Sequence, residues 1–175
     1  GWATPVAVLS IALLALFLRV AYLANTQVDT PLRADAREYA LYASNLVHHG
    51  VYSKQVSAAP EPDAFRSPGF PLLAAAVLSA SGPRRMLDGV LWLQALLGAA
   101  LVPLAYLLAR RGSSRGAALA VALLVALSPH LVAACGVFLT ETLYSFFLLA
   151  ALALAAAALQ SGRVLHGILA GALFG

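Results

Sequence analysis

Residues 89–109 read GVLWLQALLGAALVPLAYLLA, a run of 21 positions that contains no Asp, Glu, Lys or Arg. At about 1.5 Å of rise per residue, a helix of this length measures ~31 Å, which matches a bilayer hydrocarbon core of ~30 Å. Backbone groups in lipid must find their hydrogen bonds within the segment, so only a helix fits. This stretch therefore predicts a membrane-spanning helix.

Other charge-free runs flank this segment on both sides. Together with 89–109, these runs predict spans at about 3–24, 86–109, 116–138 and 140–161, with the start of a fifth at 164–175. Because proline removes one helical hydrogen bond, we expect a kink or an early end at Ser128-Pro129. The last stretch is too short to cross a bilayer, so we expect the chain to be the N-terminal part of a longer protein.

The composition is that of a membrane protein. Of the 175 residues, 62% are hydrophobic and 10% are charged, whereas soluble domains carry about 25% charged residues. A single cysteine, Cys135, excludes an internal disulfide framework. The net charge of +4 comes from scattered basic residues in runs of at most two, which argues against nucleic acid as a partner. We predict an all-α polytopic membrane protein, with residues 1–175 forming one transmembrane module.

Arginines predict the orientation. The tight loop 110–115 between two predicted spans carries three arginines, which the positive-inside rule places in the cytoplasm. Residues 25–85 then form a long outer loop, with interfacial helices at about 35–49 and 69–81. In an alternative topology 67–83 is a full span, but its opening prolines leave about twelve helical residues, too few to cross.

The carboxylates are concentrated in one region. Six of the seven lie between Asp29 and Asp88, and the seventh is Glu141. None lies at the middle of a predicted span, where the ionisable groups of ion-coupled transporters usually lie. The distribution favours a polar site at the outer membrane–water interface over a transport path.

Two interpretations are open for Asp35, which begins a helical pattern that Gly50 ends. Asp35 can be the N-cap of this helix, with Glu38 at the third helical position, as in a capping box. It can also be a catalytic carboxylate at the exposed mouth of the helix. The spacing alone does not separate the two.

Other charged residues have two interpretations as well. Lys54 and Arg66 flank a polar stretch, and they form either surface ion pairs or a recognition site for a phosphate. Glu141 begins the last full span, as a simple helix start or as a second acid facing the outer site. Arg19 can snorkel to the outer interface or pair with a loop carboxylate.

An ordered series of short motifs resembles a known family. The series is Arg19-x-x-Tyr22, Asp35-x-x-x-Tyr39, Gly50-x-Tyr52, Arg66-x-Pro68-Gly69-x-Pro71 and Thr140-Glu141-x-Leu143. It resembles the N-terminal part of the GT-C superfamily of membrane glycosyltransferases. The similarity is greatest to the bacterial branch that contains the protein O-mannosyltransferases and the aminoarabinose transferases.

The resemblance implies an inverting transfer of a sugar from a polyprenyl-phosphate donor at the outer face. Asp35 matches the essential acid of the first outer loop, as a base or as a carboxylate that orients the acceptor, and Glu141 matches the acid of the second. Lys54 and Arg66 are then the cations for the phosphate, with Glu38 and Tyr39 beside them in the substrate site.

The same resemblance implies the partners and the location. The partners are a lipid-linked sugar, the bilayer, and an acceptor that can be a lipid, a glycan or a protein. The preference for Arg over Lys suggests a GC-rich bacterial genome, and hence a multi-pass protein of the bacterial plasma membrane. A different class of function, a non-catalytic carrier or assembly partner for lipid-linked substrates, stays open.

No metal and no other cofactor is expected. The chain has no Asp-x-Asp motif. The adjacent His48 and His49 would point about 100° apart on a helix and could not easily share one ion. Ala36 follows Asp35 where eukaryotic-type mannosyltransferases have a Glu, a departure that weakens a strict assignment to protein mannosylation.

Overall fold

The computed structural model describes residues 2–26 and 29–174. Gly1 lies outside the described residues, as do Gln27 and Val28 of the predicted outer loop and Gly175 of the predicted fifth span. Within the described part the chain forms eight helices. They are α1 (Ala3–Asn25), α2 (Asp35–His49), α3 (Gly69–Ser81), α4 (Met86–Ala109), α5 (Arg115–Leu127), α6 (Pro129–Ala134), α7 (Glu141–Ser161) and α8 (Val164–Phe174).

Three of these helices are long and apolar enough to cross a membrane: α1, α4 with its preceding turn from Pro83, and α7. Residues on their outward faces, such as Leu9 and Leu96, remain exposed although they are large and apolar. Lipid rather than water suits such a surface. The prediction of an all-α membrane protein is confirmed.

The run 116–138 does not form one continuous helix. α5 ends at Leu127, and α6 begins at Pro129, whose ring carries no N–H for the preceding ladder. The Ser128 hydroxyl caps α6 by accepting a hydrogen bond from the Leu131 N–H. Residues 135–140 then lack helical structure, and the Gln94 side chain donates to the carbonyl of Val137 at 2.8 Å. Buried Gln94 thus satisfies backbone that the helix break leaves unpaired.

The bundle has two distinguishable ends. Arg111, just after α4, donates a 2.8 Å hydrogen bond to Gln160 near the end of α7, so α4 and α7 run in the same direction. α1 runs the opposite way, because Leu23 near its end and Leu87 at the start of α4 line one cavity. We call the end where α4 and α7 begin the site end. The broken helices α5 and α6 return the chain to it.

A buried cluster holds α2 and α3 at the site end. Tyr39 of α2 packs edge-on against Phe70 of α3, with ring centroids 5.2 Å apart, and Phe70 meets Phe138 at 5.0 Å. Met86 of α4 and Leu143 of α7 belong to the same cluster. Tyr39, Tyr42 and Ala43, which share one face of α2 at helical spacing, are all buried. Packing of this face fixes α2 on the ends of the spanning helices.

Arg19 lies inside the bundle. The side chain is fully buried and donates to the carbonyl of Ala15 at 2.9 Å. It passes against Gly98 of α4, where an added methyl group would lie 2.5 Å from the Arg19 Nε atom. The snorkelling interpretation is therefore wrong, because the absence of a side chain at Gly98 gives the guanidinium room within the helix packing.

Candidate functional site

α2 begins at Asp35, directly after a backbone turn at Ala34. Ala34 has φ 48° and ψ −124°, a conformation that side-chain-bearing residues rarely adopt. Ala34 holds the N-cap position, and no side chain caps the helix. The capping-box interpretation of Asp35 and Glu38 is wrong, and both carboxylates are available for other partners.

Those partners come from the loop that follows α2. Arg66 Nη2 lies 2.5 Å from Asp35 Oδ1, and Arg66 Nε lies 2.6 Å from Glu38 Oε2. One guanidinium thus binds two carboxylates on the first turn of α2. The Asp35 carboxylate keeps 55% of its surface exposed, whereas the Arg66 side chain keeps 22%. The acid that matches the catalytic position is therefore the member open to a substrate.

Lys54 completes this charged cluster, which we define as Asp35, Glu38, Lys54 and Arg66. Its Nζ atom lies 3.3 Å from Glu38 Oε1. The same ammonium lies 3.6 Å from the centre of the Phe65 ring. A cation at this distance from an aromatic face is stabilised by the ring quadrupole. Two cations and two carboxylates therefore meet on one face of α2.

Aromatic rings also position the guanidinium. Arg66 Cζ lies 5.3 Å from the centre of the Tyr39 ring and 5.1 Å from that of Phe65. The hydroxyl of Tyr52 donates to the carbonyl of Arg66 at 2.9 Å, which holds the backbone of the cation. Phe65 was not predicted as a site residue, although an aromatic residue directly before an arginine in a polar stretch is a signal that could have identified it.

The loop that carries both cations is tied to α2 by a second carboxylate centre. Asp63 accepts hydrogen bonds from the hydroxyl of Tyr42, the hydroxyl of Ser53 and the N–H of Lys54. Asn45 of α2 donates to the carbonyl of Ser53 at 2.8 Å. We call these contacts the loop latch. They set the position of Lys54 relative to α2.

The electrostatics follow from these contacts. The hydrogen bond from Arg66 holds the pKa of Glu38 below its usual range, although partial burial opposes the shift. Glu38 in turn raises the pKa of Arg66. The hydrogen bond from Tyr42 likewise lowers the pKa of Asp63, while burial raises the pKa of Tyr42 to about 12. The carboxylates of Glu38 and Asp63 are therefore charged at neutral pH.

Glu141 lies at the site end but apart from the charged cluster. It is the exposed first residue of α7, and among the described residues it forms no ion pair. A cavity of about 250 Å³ opens between α3, α7 and α8, lined by Ser67 next to Arg66 and by Thr140 next to Glu141. The structure thus brings the four predicted residues of the charged cluster together, with Tyr39 against Arg66. It places Glu141 across a neighbouring cavity.

In the described part of the chain, no group of three or more His, Cys, Asp and Glu side chains lies in an arrangement that could hold a metal ion. The two carboxylates of the charged cluster are instead occupied by cationic side chains. The cluster thus pairs two cations with two carboxylates, and Asp35 is the most exposed of the four side chains.

The helical bundle and the charged cluster at its end define the class: an all-α membrane protein with a polar site at the end of its spans. The sequence model of one family, described as dolichyl-phosphate-mannose-protein mannosyltransferase, matches residues 65–175. The chain belongs to this family, which confirms the GT-C resemblance and indicates a membrane glycosyltransferase with a lipid-linked sugar donor. No curated protein and no solved structure matches the chain.

The matched region divides the candidate site. Arg66 and Glu141 lie within it, whereas Asp35, Glu38 and Lys54 precede it. The family match therefore bears on the cation and the second acid. Asp35, the first acid, is joined to the matched region by its contact with Arg66.

Proposed function

We propose that this protein transfers a sugar from a polyprenyl-phosphate donor to a hydroxyl group of an acceptor, with inversion at the anomeric carbon. The reaction takes place at the outer, periplasmic or extracellular, face of a bacterial plasma membrane. The contact between Arg66 and Asp35 carries the proposal, because a guanidinium, which is able to bind phosphate, lies beside an exposed carboxylate. The family to which the chain belongs supports the lipid-linked donor.

In this mechanism Asp35 acts on the acceptor. Its carboxylate orients the attacking hydroxyl and accepts its proton as the oxygen bonds to the anomeric carbon. The bond between that carbon and the phosphate oxygen breaks, and the electron pair leaves with the polyprenyl phosphate. The exposure of Asp35 at the mouth of α2 leaves room for an acceptor.

Arg66 and Lys54 act on the leaving group. A polyprenyl phosphate gains negative charge as the glycosidic bond breaks, and preorganised cations stabilise that charge without reorganisation. Glu38 holds both cations, at 2.6 Å and 3.3 Å, and Tyr39 lies beneath the guanidinium. Glu141, across the neighbouring cavity, contributes to acceptor or donor binding.

The test uses the full-length protein in liposomes that contain radiolabelled polyprenyl-phosphate sugars. Asp35→Asn keeps the shape of the side chain but removes the base, so we expect kcat to fall by about 10²–10⁴-fold. Glu61→Gln removes a carboxylate from the loop that follows α2, outside the charged cluster, and this variant should retain wild-type turnover. Turnover by Asp35→Asn at the wild-type rate would refute the role of Asp35.

Absence of transfer in the wild type requires a second measurement. Retention of the labelled donor by the purified protein in detergent, captured on an affinity resin, separates an enzyme that lacks its acceptor from a protein that does not bind the donor. Donor bound by the wild type and lost in Arg66→Gln would support the phosphate site. Donor bound equally by both would overturn it.

A further inference from the structure

Another face of α2 lines a separate cavity of about 270 Å³. Arg37, Leu41, Ser44 and His48 of α2 form one wall. Their spacing of four, three and four residues places them within one narrow stripe of the helix. The charged cluster uses Asp35 and Glu38, on a face of α2 roughly 120° away. The two sites therefore share α2 but do not overlap.

The level of this cavity in the membrane follows from its contact with α4. Its other wall includes Leu32, Leu78 of α3, and Met86, which is the first residue of α4. Because α4 is long and apolar enough to span the membrane, its first turn lies near the level of lipid headgroups. The leucine and methionine side chains make this wall apolar. A ligand in the cavity thus meets hydrocarbon-like walls at headgroup depth.

One arginine lines the cavity, and three more adjoin its lining residues in the sequence. Arg37 lines it, Arg33 adjoins Leu32, and Arg84 and Arg85 immediately precede Met86. All four arginines are exposed, and within residues 2–26 and 29–174 none of them forms an ion pair. The nearby carboxylates of α2 face the other way and bind Arg66 and Lys54. These cations are therefore free to bind an external anion.

We propose that this cavity binds an anionic phospholipid of the surrounding bilayer, separately from the sugar donor. Guanidinium groups bind the headgroup phosphate, and the apolar wall receives the upper part of an acyl chain. Arg37 and the three arginines next to the lining residues disfavour the ammonium of a zwitterionic headgroup, so a headgroup with net negative charge is preferred. The bound lipid packs α2 against α3 and α4 and so supports the face that carries Asp35.

The test measures lipid binding to the full chain in neutral detergent by native mass spectrometry. We expect phosphatidylglycerol to bind about tenfold more tightly than phosphatidylcholine. Arg37→Gln should lower the affinity for phosphatidylglycerol about five- to tenfold, whereas Arg37→Lys, which keeps the charge, should retain most of it. Arg163→Gln, on the loop at the opposite end of the bundle, is the matched control and should bind like the wild type.

Several results would overturn the proposal. Equal affinity for the two lipids, or unchanged phosphatidylglycerol binding by Arg37→Gln, would remove the arginine-lined cavity as the site. Loss of phosphatidylglycerol binding in Arg66→Gln together with retention in Arg37→Gln would move the lipid to the charged cluster. Displacement of bound phosphatidylglycerol by millimolar inorganic phosphate alone would show that the cavity is a simple anion site.

Discussion

Arg66 Nη2 and Asp35 Oδ1 lie 2.5 Å apart, although 31 positions separate the two residues in the sequence. The same guanidinium binds Glu38, so a single side chain joins the loop to two positions on the first turn of α2. Arginine suits this role because its planar fork presents several N–H donors at fixed angles. The proposed catalytic acid is therefore positioned by the proposed phosphate-binding residue.

This relationship predicts different results for two substitutions of Arg66. Arg66→Gln removes the charge and should raise KM for the lipid-linked donor at least tenfold while also lowering kcat. Arg66→Lys keeps the charge but cannot bind both carboxylates through one fork, so an intermediate loss is expected. Transfer assays in liposomes at varied donor concentration measure both parameters, with Arg163→Gln as the control. Equal activity of the lysine and glutamine variants would contradict a role for the charge.

The pKa of Glu38 predicts an acid sensitivity of the fold. The hydrogen bond from Arg66 holds the folded-state pKa below its ordinary value of 4.5. Between the lowered pKa and 4.5, the unfolded chain therefore binds more protons than the folded chain. The stability that Glu38 contributes is present above 4.5 and is lost as the pH falls through the lowered pKa. Between about pH 6 and pH 3.5, the Tm of the wild type should therefore fall further than the Tm of Glu38→Gln.

Thermal unfolding in detergent at the two pH values measures this difference. Glu61→Gln, a carboxylate outside the charged cluster and the loop latch, should keep the acid sensitivity of the wild type. Identical acid sensitivity in Glu38→Gln and the wild type would show that Glu38 does not link the fold to pH.

The loop latch predicts a local effect of Tyr42→Phe. The substitution removes the hydroxyl that donates to Asp63 but keeps the ring, which stacks on Tyr52 with centroids 4.3 Å apart. Loss of one hydrogen bond should increase local opening of the loop about fivefold. Trypsin cleavage at Lys54, followed by mass spectrometry, reports this opening. Tyr144→Phe, at an exposed ring of α7, should cleave like the wild type, and unchanged cleavage of Tyr42→Phe would contradict the latch.

The burial of Arg19 predicts an effect of Gly98→Ala. The added methyl group would lie 2.5 Å from Arg19 Nε, and the surrounding helices confine the arginine. Overpacking of this kind costs about 1–3 kcal/mol of unfolding free energy. Gly167→Ala in α8 meets no atom within 4 Å and should not destabilise the protein. Equilibrium unfolding in mixed micelles compares the two, and equal stability would show that Arg19 moves aside.

Much of the fold could be predicted because lipid imposes strict rules. The charge-free run 89–109 lies within α4, and the pattern ended by Gly50 coincides with α2. Glycine is needed there because φ reaches 67°. The third predicted span was less predictable. Proline marks the break after Leu127, but the length of the non-helical stretch that follows depends on Gln94, a residue on another helix.

The candidate site divides in the same way. The sequence alone determined that this is a helical membrane protein, and it identified the acids and cations of the site by type and order. Only the tertiary structure decided that Arg66 binds Asp35 and Glu38, that Asp35 is not a cap, and that Arg19 is buried against Gly98. The reason is physical: helix length and polarity depend on neighbouring residues and the solvent, whereas a pairing of charges depends on how distant segments pack.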